Sequence, residues 1–317
     1  MQIKQPEALT VNADQLAGLA RHELSDHLER GGVVIFPTPP AALPSDEDIQ
    51  FLRQETPPLH SHKNISYYPQ ARRIVGMSGS AAQRERTRNI LRDYHERVEA
   101  FLKGVIPSLA AGWTTATASL RAFQERDRDL PIHSRSDLLH LDAGTYGASR
   151  GDLILRFITN LDDVDRIWKC KGTVPDLVEK FGDAAGLERR SDLLSDSVMN
   201  RIGSMLVRGA STVFPMARML DQSAYDRAMR RMHNYMKESE EFHTDPEGMV
   251  EIHFKPRSCW LVFADMAGHS CKSGSFALID TFMVPRHNFR QPEYSPWEVL
   301  QRFSAGEFPL PPGAPSV

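Results

Sequence analysis

The sequence predicts an α+β fold, a mostly antiparallel sheet sandwich or jelly roll with helices packed against it. Three observations predict it. Strand-like segments gather between residues 114 and 284 without alternating regularly with helices, which excludes a doubly wound parallel sheet. Residues 81–105 carry Leu91, Tyr94, Val98, Phe101, Leu102 and Val105 at three- and four-residue steps, one face of a long amphipathic helix. The stretch 173–245 then turns helical, so an insertion interrupts the strands.

In chain order, residues 13–30 read as a helix ending at Gly31-Gly32, and VVIFP (33–37) as a short strand. After the long helix come the strands TTATASLRAF (114–123), LLHLDAG (138–144), DLILRFIT (152–159) and RIWKCKG (166–172). The insertion reads VPDLVEKFG, SDLLSDSVMNRIGSML and SAYDRAMRRMHNYMKESEEF. Strands return as MVEIHFK (249–255), SCWLVFA (258–264) and SFALIDTFMV (275–284). A short helix, SPWEVLQRF (295–303), precedes a Pro/Gly tail expected to be disordered. The expected organisation is a single domain over 1–317. It has a mainly helical part (1–110), a strand-rich core (111–285) carrying the insertion 173–245, and a C-terminal helix and tail (286–317).

Composition narrows the function. With 41% hydrophobic and 25% charged residues in 317, the chain can build a large core and is neither disordered nor collagen-like. A formal net charge of −3 argues against a generic nucleic-acid binder. Cys170, Cys259 and Cys271 make no CxxC pair and no disulfide framework, which points to a reducing compartment. The N-terminal MQIKQPEALTVNADQ lacks a signal pattern, and no run approaches the ~18 apolar residues of a membrane span. The expectation is a cytoplasmic protein. There is no GxSxG, no Walker-type loop, no GxGxxG and no structural zinc spacing.

Two His-x-Asp pairs stand out, His140-Leu141-Asp142 and His243-Thr244-Asp245. On a strand, residues two apart share a face, so both side chains can reach one ion. A distant second His completes the 2-His-1-carboxylate face of non-haem Fe(II) oxygenases, leaving positions open for a cosubstrate and O2. His243 follows a polar stretch and precedes Pro246 and Gly248, which is loop chemistry. His140 precedes a Gly-bearing turn and another strand. His269, placed between strands in WLVFADMAGHSCKSGSFALIDTF, is the first choice for the distal ligand, and His253 in VEIHF the second. In LILRFITN, Ile154, Arg156, Ile158 and Asn160 share one face. A strand-centre arginine among apolar residues needs an anionic partner, either an internal carboxylate or the distal carboxylate of 2-oxoglutarate.

Taken together, HLDAGTYGASRGDLILRFITNLD, WLVFADMAGHSCKSGSFALIDTFMVP, KNISYYP and SAYDRAMRRMHNYMKESEEF resemble the Kdo hydroxylase family, from about Gly32 to about Phe303. The resemblance implies a double-stranded β-helix core (jelly-roll, cupin-like) with N-terminal helices and a helical insertion. It implies an Fe(II)-, 2-oxoglutarate- and ascorbate-dependent dioxygenase that hydroxylates carbon 3 of Kdo in Kdo2-lipid A, giving Ko. It carries the metal role onto His140, Asp142 and His269, puts Arg156 and Asn160 in the family's L-R-x-x-T-N stretch, and matches Arg121 to an Arg-bearing strand. Arg121, Lys63 and Asn64 are candidates for substrate groups, with structural hydrogen bonding as their other reading. The match departs after Asp142, where the family runs Ala-Phe-Pro-Ser and this chain has Ala143-Gly144-Thr145-Tyr146. A lipid-linked acceptor implies peripheral contact with the inner face of the inner membrane, with RAMRRMHNYMK (227–237) and QRERTRNILR (83–92) as basic candidates. Two other functions stay open, an oxygenase of the same class acting on another sugar acid or small molecule, and a non-catalytic jelly-roll binding protein.

Overall fold

The computed structural model describes residues 2–308 apart from 17, 21, 125–128, 145–147, 190–192 and 196–221. The described strands are β1 (Ala8–Thr10), β2 (Val33–Phe36), β3 (Ile65–Tyr68), β4 (Arg73–Val75), β5 (Thr114–Arg121), β6 (Leu153–Asn160), β7 (Arg166–Thr173), β8 (Met249–Phe254), β9 (Cys259–Phe263), β10 (Ala267–Ser273) and β11 (Ala277–Val284). The described α-helices are α1 (Ala13–Leu16), α2 (Glu23–Glu29), α3 (Asp46–Gln54), α4 (Ala81–Val105), α5 (Pro107–Ala110), α6 (Val174–Phe181), α7 (Ala224–Glu238), α8 (Glu240–Thr244) and α9 (Pro296–Ala305).

Side-chain alternation sorts the strands into two facing sheets. An eight-stranded sheet has the order β1-β2-β9-β6-β11-β5-β3-β4, and a three-stranded sheet the order β10-β7-β8. All pairings are antiparallel except β1 with β2. On β6, Leu155 and Phe157 point to one face and Arg156 and Ile158 to the other. The first face joins Leu261 and Phe263 of β9 and Leu278 and Phe282 of β11 in a core covered by Leu91, Tyr94, Val98 and Leu102 of α4. The second face meets the small sheet. There Ile158, Trp260, Val262 and Ile279 pack on Trp168, Cys170, Ile252, Phe254 and Cys271. A third apolar cluster, from α6, α7 and α9, includes Leu139 and Leu141 beside the candidate ligands.

Helix α4 runs over the same residues its periodicity predicts. Its start is a reciprocal cap, in which Ser80 and Gln83 each accept the other's backbone N–H. It is tied to the sheet by two buried polar contacts, Tyr94 Oη to Thr159 Oγ1 at 2.6 Å and His95 Nδ1 to Asp280 Oδ1 at 2.8 Å.

The structure differs from the sequence reading in three places. The expected helix 13–30 is two helices, because Glu23 turns back to accept the Ala20 N–H and starts α2 afresh. The first 110 residues supply strands as well as helices: β1-β2 and β3-β4 flank the large sheet on its two edges. The expected strand 138–144 reduces to a single bridge at His140, since the Asp142 N–H leaves the ladder for the Ala264 carbonyl at 2.9 Å. The predicted helix 191–206 falls mostly outside the described residues, as do the tail beyond residue 308 and Thr145-Tyr146.

Phe254 joins the two sheets. It is fully buried and stacks on Trp260 with centroids 3.8 Å apart and planes 10° off parallel. Phe254→Ala is expected to cost about 3–5 kcal/mol, read as a lower denaturant midpoint at unchanged slope. A loss within ~0.5 kcal/mol would show that the sheets do not depend on this contact.

Candidate metal centre

His140 and Asp142 sit on a loop, and His269 lies on β10, ahead of the Gly-bearing turn that follows it. Two backbone hydrogen bonds bring them together. The His140 N–H donates to the His269 carbonyl and the His269 N–H donates to the His140 carbonyl, both at 3.0 Å. On the other side of β10, Gly268 allows close pairing with β7, because a Cβ there would lie 2.4 Å from the Lys171 carbonyl. One ligand atom from each of His140, Asp142 and His269 lies within 4.8 Å of the other two, the one such set among the described residues.

The ring orientations suit a cation. His140 Nδ1 lies 2.7 Å from the Leu138 carbonyl and His269 Nδ1 lies 3.1 Å from the Ala267 carbonyl. A carbonyl only accepts, so each Nδ1 carries the proton and each Nε2 keeps its lone pair. Burial pulls both imidazoles below their ordinary pKa, His140 well below it, which keeps them neutral ligands. Burial acting alone would raise the Asp142 carboxyl. The Arg156 guanidinium, with His140 and His269, reverses this and holds it well below the usual carboxylate range. Arg156 Nη2 is 2.7 Å from Asp142 Oδ2, while Oδ1 lies 3.6 Å from His140 Nε2. One oxygen therefore meets the arginine and the other faces the imidazoles. Two neutral nitrogens and one carboxylate oxygen fit a borderline divalent ion with positions left open.

These side chains line a cavity of about 470 Å³ between the sheets. Arg121, Lys63, Asn64 and Arg156 line it too. The cavity also contains Trp168, whose indole stacks on His269 at 5.0 Å and whose buried Nε1–H has no acceptor among the described residues.

The match to known proteins follows this geometry. The family model described as 3-deoxy-D-manno-oct-2-ulosonic acid (Kdo) hydroxylase matches residues 13–306. The chain belongs to the Kdo hydroxylase family. Among solved structures, it resembles the apo form of the Kdo hydroxylase KdoO, a non-heme Fe(II) alphaketoglutarate dependent dioxygenase, with TM-score 0.76 and 24% identity over 94% of this chain and 95% of that one. The complex of KdoO with alphaketoglutarate and Fe(III) gives the same values. The complex with cobalt(II) gives TM-score 0.77 and 22% identity over 99% of this chain and 100% of that one. No individually curated protein matches in sequence.

Other sequence candidates from this Kdo hydroxylase family member lie elsewhere. Asn160, expected beside the cosubstrate, closes the end of β6. Its amide nitrogen donates to the Val164 and Phe254 carbonyls at 2.9 and 3.1 Å, and its oxygen accepts the Asp162 N–H at 3.0 Å. These three backbone-directed contacts account for an asparagine there without a ligand. His253 points outward from β8 beside Asp165 at 3.5 Å, with a half-exposed side chain. The second His-x-Asp ends α8, where Asp245 pairs with the fully buried Lys171 at 3.4 Å. In the basic stretch 83–92, Arg86, Arg88 and Arg92 are each ion-paired with acidic neighbours. In 227–237, Arg230 and Lys237 turn into the cavity.

Sequence reasoning missed Arg166, Trp168, Arg230, His233 and Lys237. The signal available for the last three was their i, i+3, i+7 spacing, polar residues on one face of a helix whose other face is Met229, Met232 and Met236.

Substitution tests the ligand set. Ala at His140, Asp142 or His269 is expected to weaken Co(II) binding at least ~10-fold, as titrated by its visible absorption, because two ligands remain. His243→Ala and His253→Ala are expected to bind as the parent does. Loss of binding in either of these with retention in His140→Ala would move the centre.

Proposed function

We propose that this chain is an Fe(II)- and 2-oxoglutarate-dependent dioxygenase, assisted by ascorbate, that hydroxylates carbon 3 of Kdo in Kdo2-lipid A to form Ko. The observation that carries the reading is the convergence of His140, Asp142 and His269, with both imidazole Nε2 atoms left available, in a cavity rich in cations. Family membership supports the sugar acid as substrate. We read the two facing sheets as a double-stranded β-helix, the jelly-roll core of a single oxygenase domain.

When bound, Fe(II) and 2-oxoglutarate supply the oxidation, consuming O2 and releasing CO2 and succinate. The protein supplies position and dryness. His140, Asp142 and His269 hold the ion, and all three are at least nine-tenths buried, which excludes bulk water. Arg156 keeps Asp142 ionised and oriented, and its planar fork is the proposed clamp for the far carboxylate of the cosubstrate. The Trp168 indole N–H, which has no acceptor among the described residues, leaves a further donor available in the cavity beside His269. Arg121 and Asn64 line the wall where an anionic, polyhydroxylated sugar would sit. Lys63 lines it as well, while its ammonium also donates to the Ser134 carbonyl at 2.8 Å and Ser136 Oγ at 2.7 Å, shaping that wall.

No described helix is long and apolar enough to cross a membrane. The proposal puts the enzyme in the cytoplasm, meeting its lipid at the inner face of the inner membrane.

Two measurements test the reading. Purified protein with Fe(II), 2-oxoglutarate, ascorbate and Kdo2-lipid A is expected to give a product about 16 mass units heavier, one oxygen. Absence of that product, with succinate formed on an unrelated acceptor, would replace the substrate and keep the class. In Arg156→Lys the charge stays but the fork is lost, so the KM for 2-oxoglutarate is expected to rise about 10- to 150-fold. An unchanged KM in the folded variant would leave Arg156 as a partner of Asp142 alone.

A further inference from the structure

We propose that Arg230, reaching past Gly144, forms a carboxylate-binding subsite that grips the sugar acid to be hydroxylated. This rests on the substrate reading above and adds a specificity-determining residue to it.

The helix face that enters the cavity is the row Arg230, His233 and Lys237 of α7. Two members of the row are structural anchors. His233 Nδ1 donates to the Leu141 carbonyl at 2.6 Å, and Lys237 Nζ donates to the carbonyls of His133 and Arg135 at 2.8 and 2.6 Å. Arg230 is different. Its one hydrogen bond within the described residues is Nη2 to the Gly144 carbonyl, at 3.3 Å. Among the described residues its buried Nε has no acceptor, and no carboxylate forms an ion pair with it. A guanidinium offers five N–H donors in a planar fork, and leaving buried donors unmet is costly. The fork matches a carboxylate.

Gly144 makes the reach feasible. It adopts φ +60°, and a Cβ there would lie 2.6 Å from Arg230 Nη2, so a side chain at this position would displace the guanidinium. Gly144 stands two residues beyond Asp142, which puts it within about 7 Å of that Cα along the chain. An anion held there would share one cavity with the metal ligands His140, Asp142 and His269. The charge around the cavity agrees. Among the described residues, Lys63, Arg121, Arg156, Arg166, Arg230 and Lys237 line it, against one carboxylate, Asp142. A divalent cation and a doubly charged cosubstrate offset each other, so the excess positive charge still calls for an anionic substrate. Arg230 comes from the helix wall, whereas Arg121 and Arg156 come from the large sheet, so the subsite is separate from the proposed cosubstrate clamp.

The test compares Arg230→Gln and Arg230→Lys with the parent protein. With Kdo2-lipid A, the acceptor KM is expected to rise about 10- to 100-fold in Arg230→Gln and less in Arg230→Lys, while the 2-oxoglutarate KM and Co(II) affinity stay unchanged. A second arm needs no turnover. Binding of the methyl ketoside of Kdo and of its carboxyl-reduced analogue is measured on Co(II)-loaded protein. The parent is expected to prefer the carboxylate, and Arg230→Gln to lose the preference. If the parent hydroxylates Kdo2-lipid A and Arg230→Gln keeps the acceptor KM, the subsite falls and the substrate reading stands. If no Kdo acceptor is hydroxylated yet the carboxylate preference vanishes in Arg230→Gln, the subsite stands and the substrate reading falls. A parent without any carboxylate preference overturns the subsite, as does a rise confined to the 2-oxoglutarate KM.

Discussion

A pair of backbone hydrogen bonds between His140 and His269 carries the site. The two residues are distant in sequence, and that bridge sets their backbones side by side, with the rings 4.7 Å apart. On the His269 side the backbone is already set by pairing of β10 with β7. On the His140 side it is not, because the loop forms only one bridge. The loop is therefore held by several weaker ties: the Asp142 N–H on Ala264, His233 on the Leu141 carbonyl, Lys237 on two carbonyls upstream, and burial of Leu139 and Leu141 against α7. A helix from the insertion thus sets the position of two candidate metal ligands that precede it in sequence.

Electrostatics then divides the work among groups that composition cannot separate. Overall the chain is slightly acidic, with a net charge of −3, yet its cavity wall is strongly cationic. Among the described residues, six lysines and arginines line it with one carboxylate. Lys63, Lys237 and Arg166 spend donors on backbone carbonyls and so shape the wall. Arg156 meets Asp142. Net charge predicts solubility and non-specific association, not the field inside a cleft.

The two His-x-Asp pairs show why local pattern alone is insufficient. Both have the same spacing. Asp142 is buried between Arg156 and two imidazoles, whereas Asp245 closes a helix end and pairs with Lys171. The sequence context favoured the first through the strand and glycine around it, although the strand is only a bridge. Asn160 shows how a shared face can mislead about what a side chain touches. Its place on the face of Arg156 suggested a ligand, but strand ends leave carbonyls exposed, and an amide side chain that satisfies them has no need of a cosubstrate.

From the sequence by itself came the elements with strong period: the helix 81–105, the strands β5, β6, β7, β8, β9 and β11, and the α+β class with an insertion. Those depend on neighbours within a few residues, and the apolar alternation specifies them. The grouping of His140, Asp142 and His269, which the structure brings together, was also legible, through spacing and a family resemblance that the match over residues 13–306 bears out at the family level. Tertiary structure alone decided that edge strands from the first 110 residues flank the large sheet, that the His140 strand shrinks to one bridge, and that Arg166, Trp168, Arg230, His233 and Lys237 enter the cavity. Each of these depends on contacts between segments far apart in the chain. A short polar row on a helix looks like a solvated face until the partner that covers it is known.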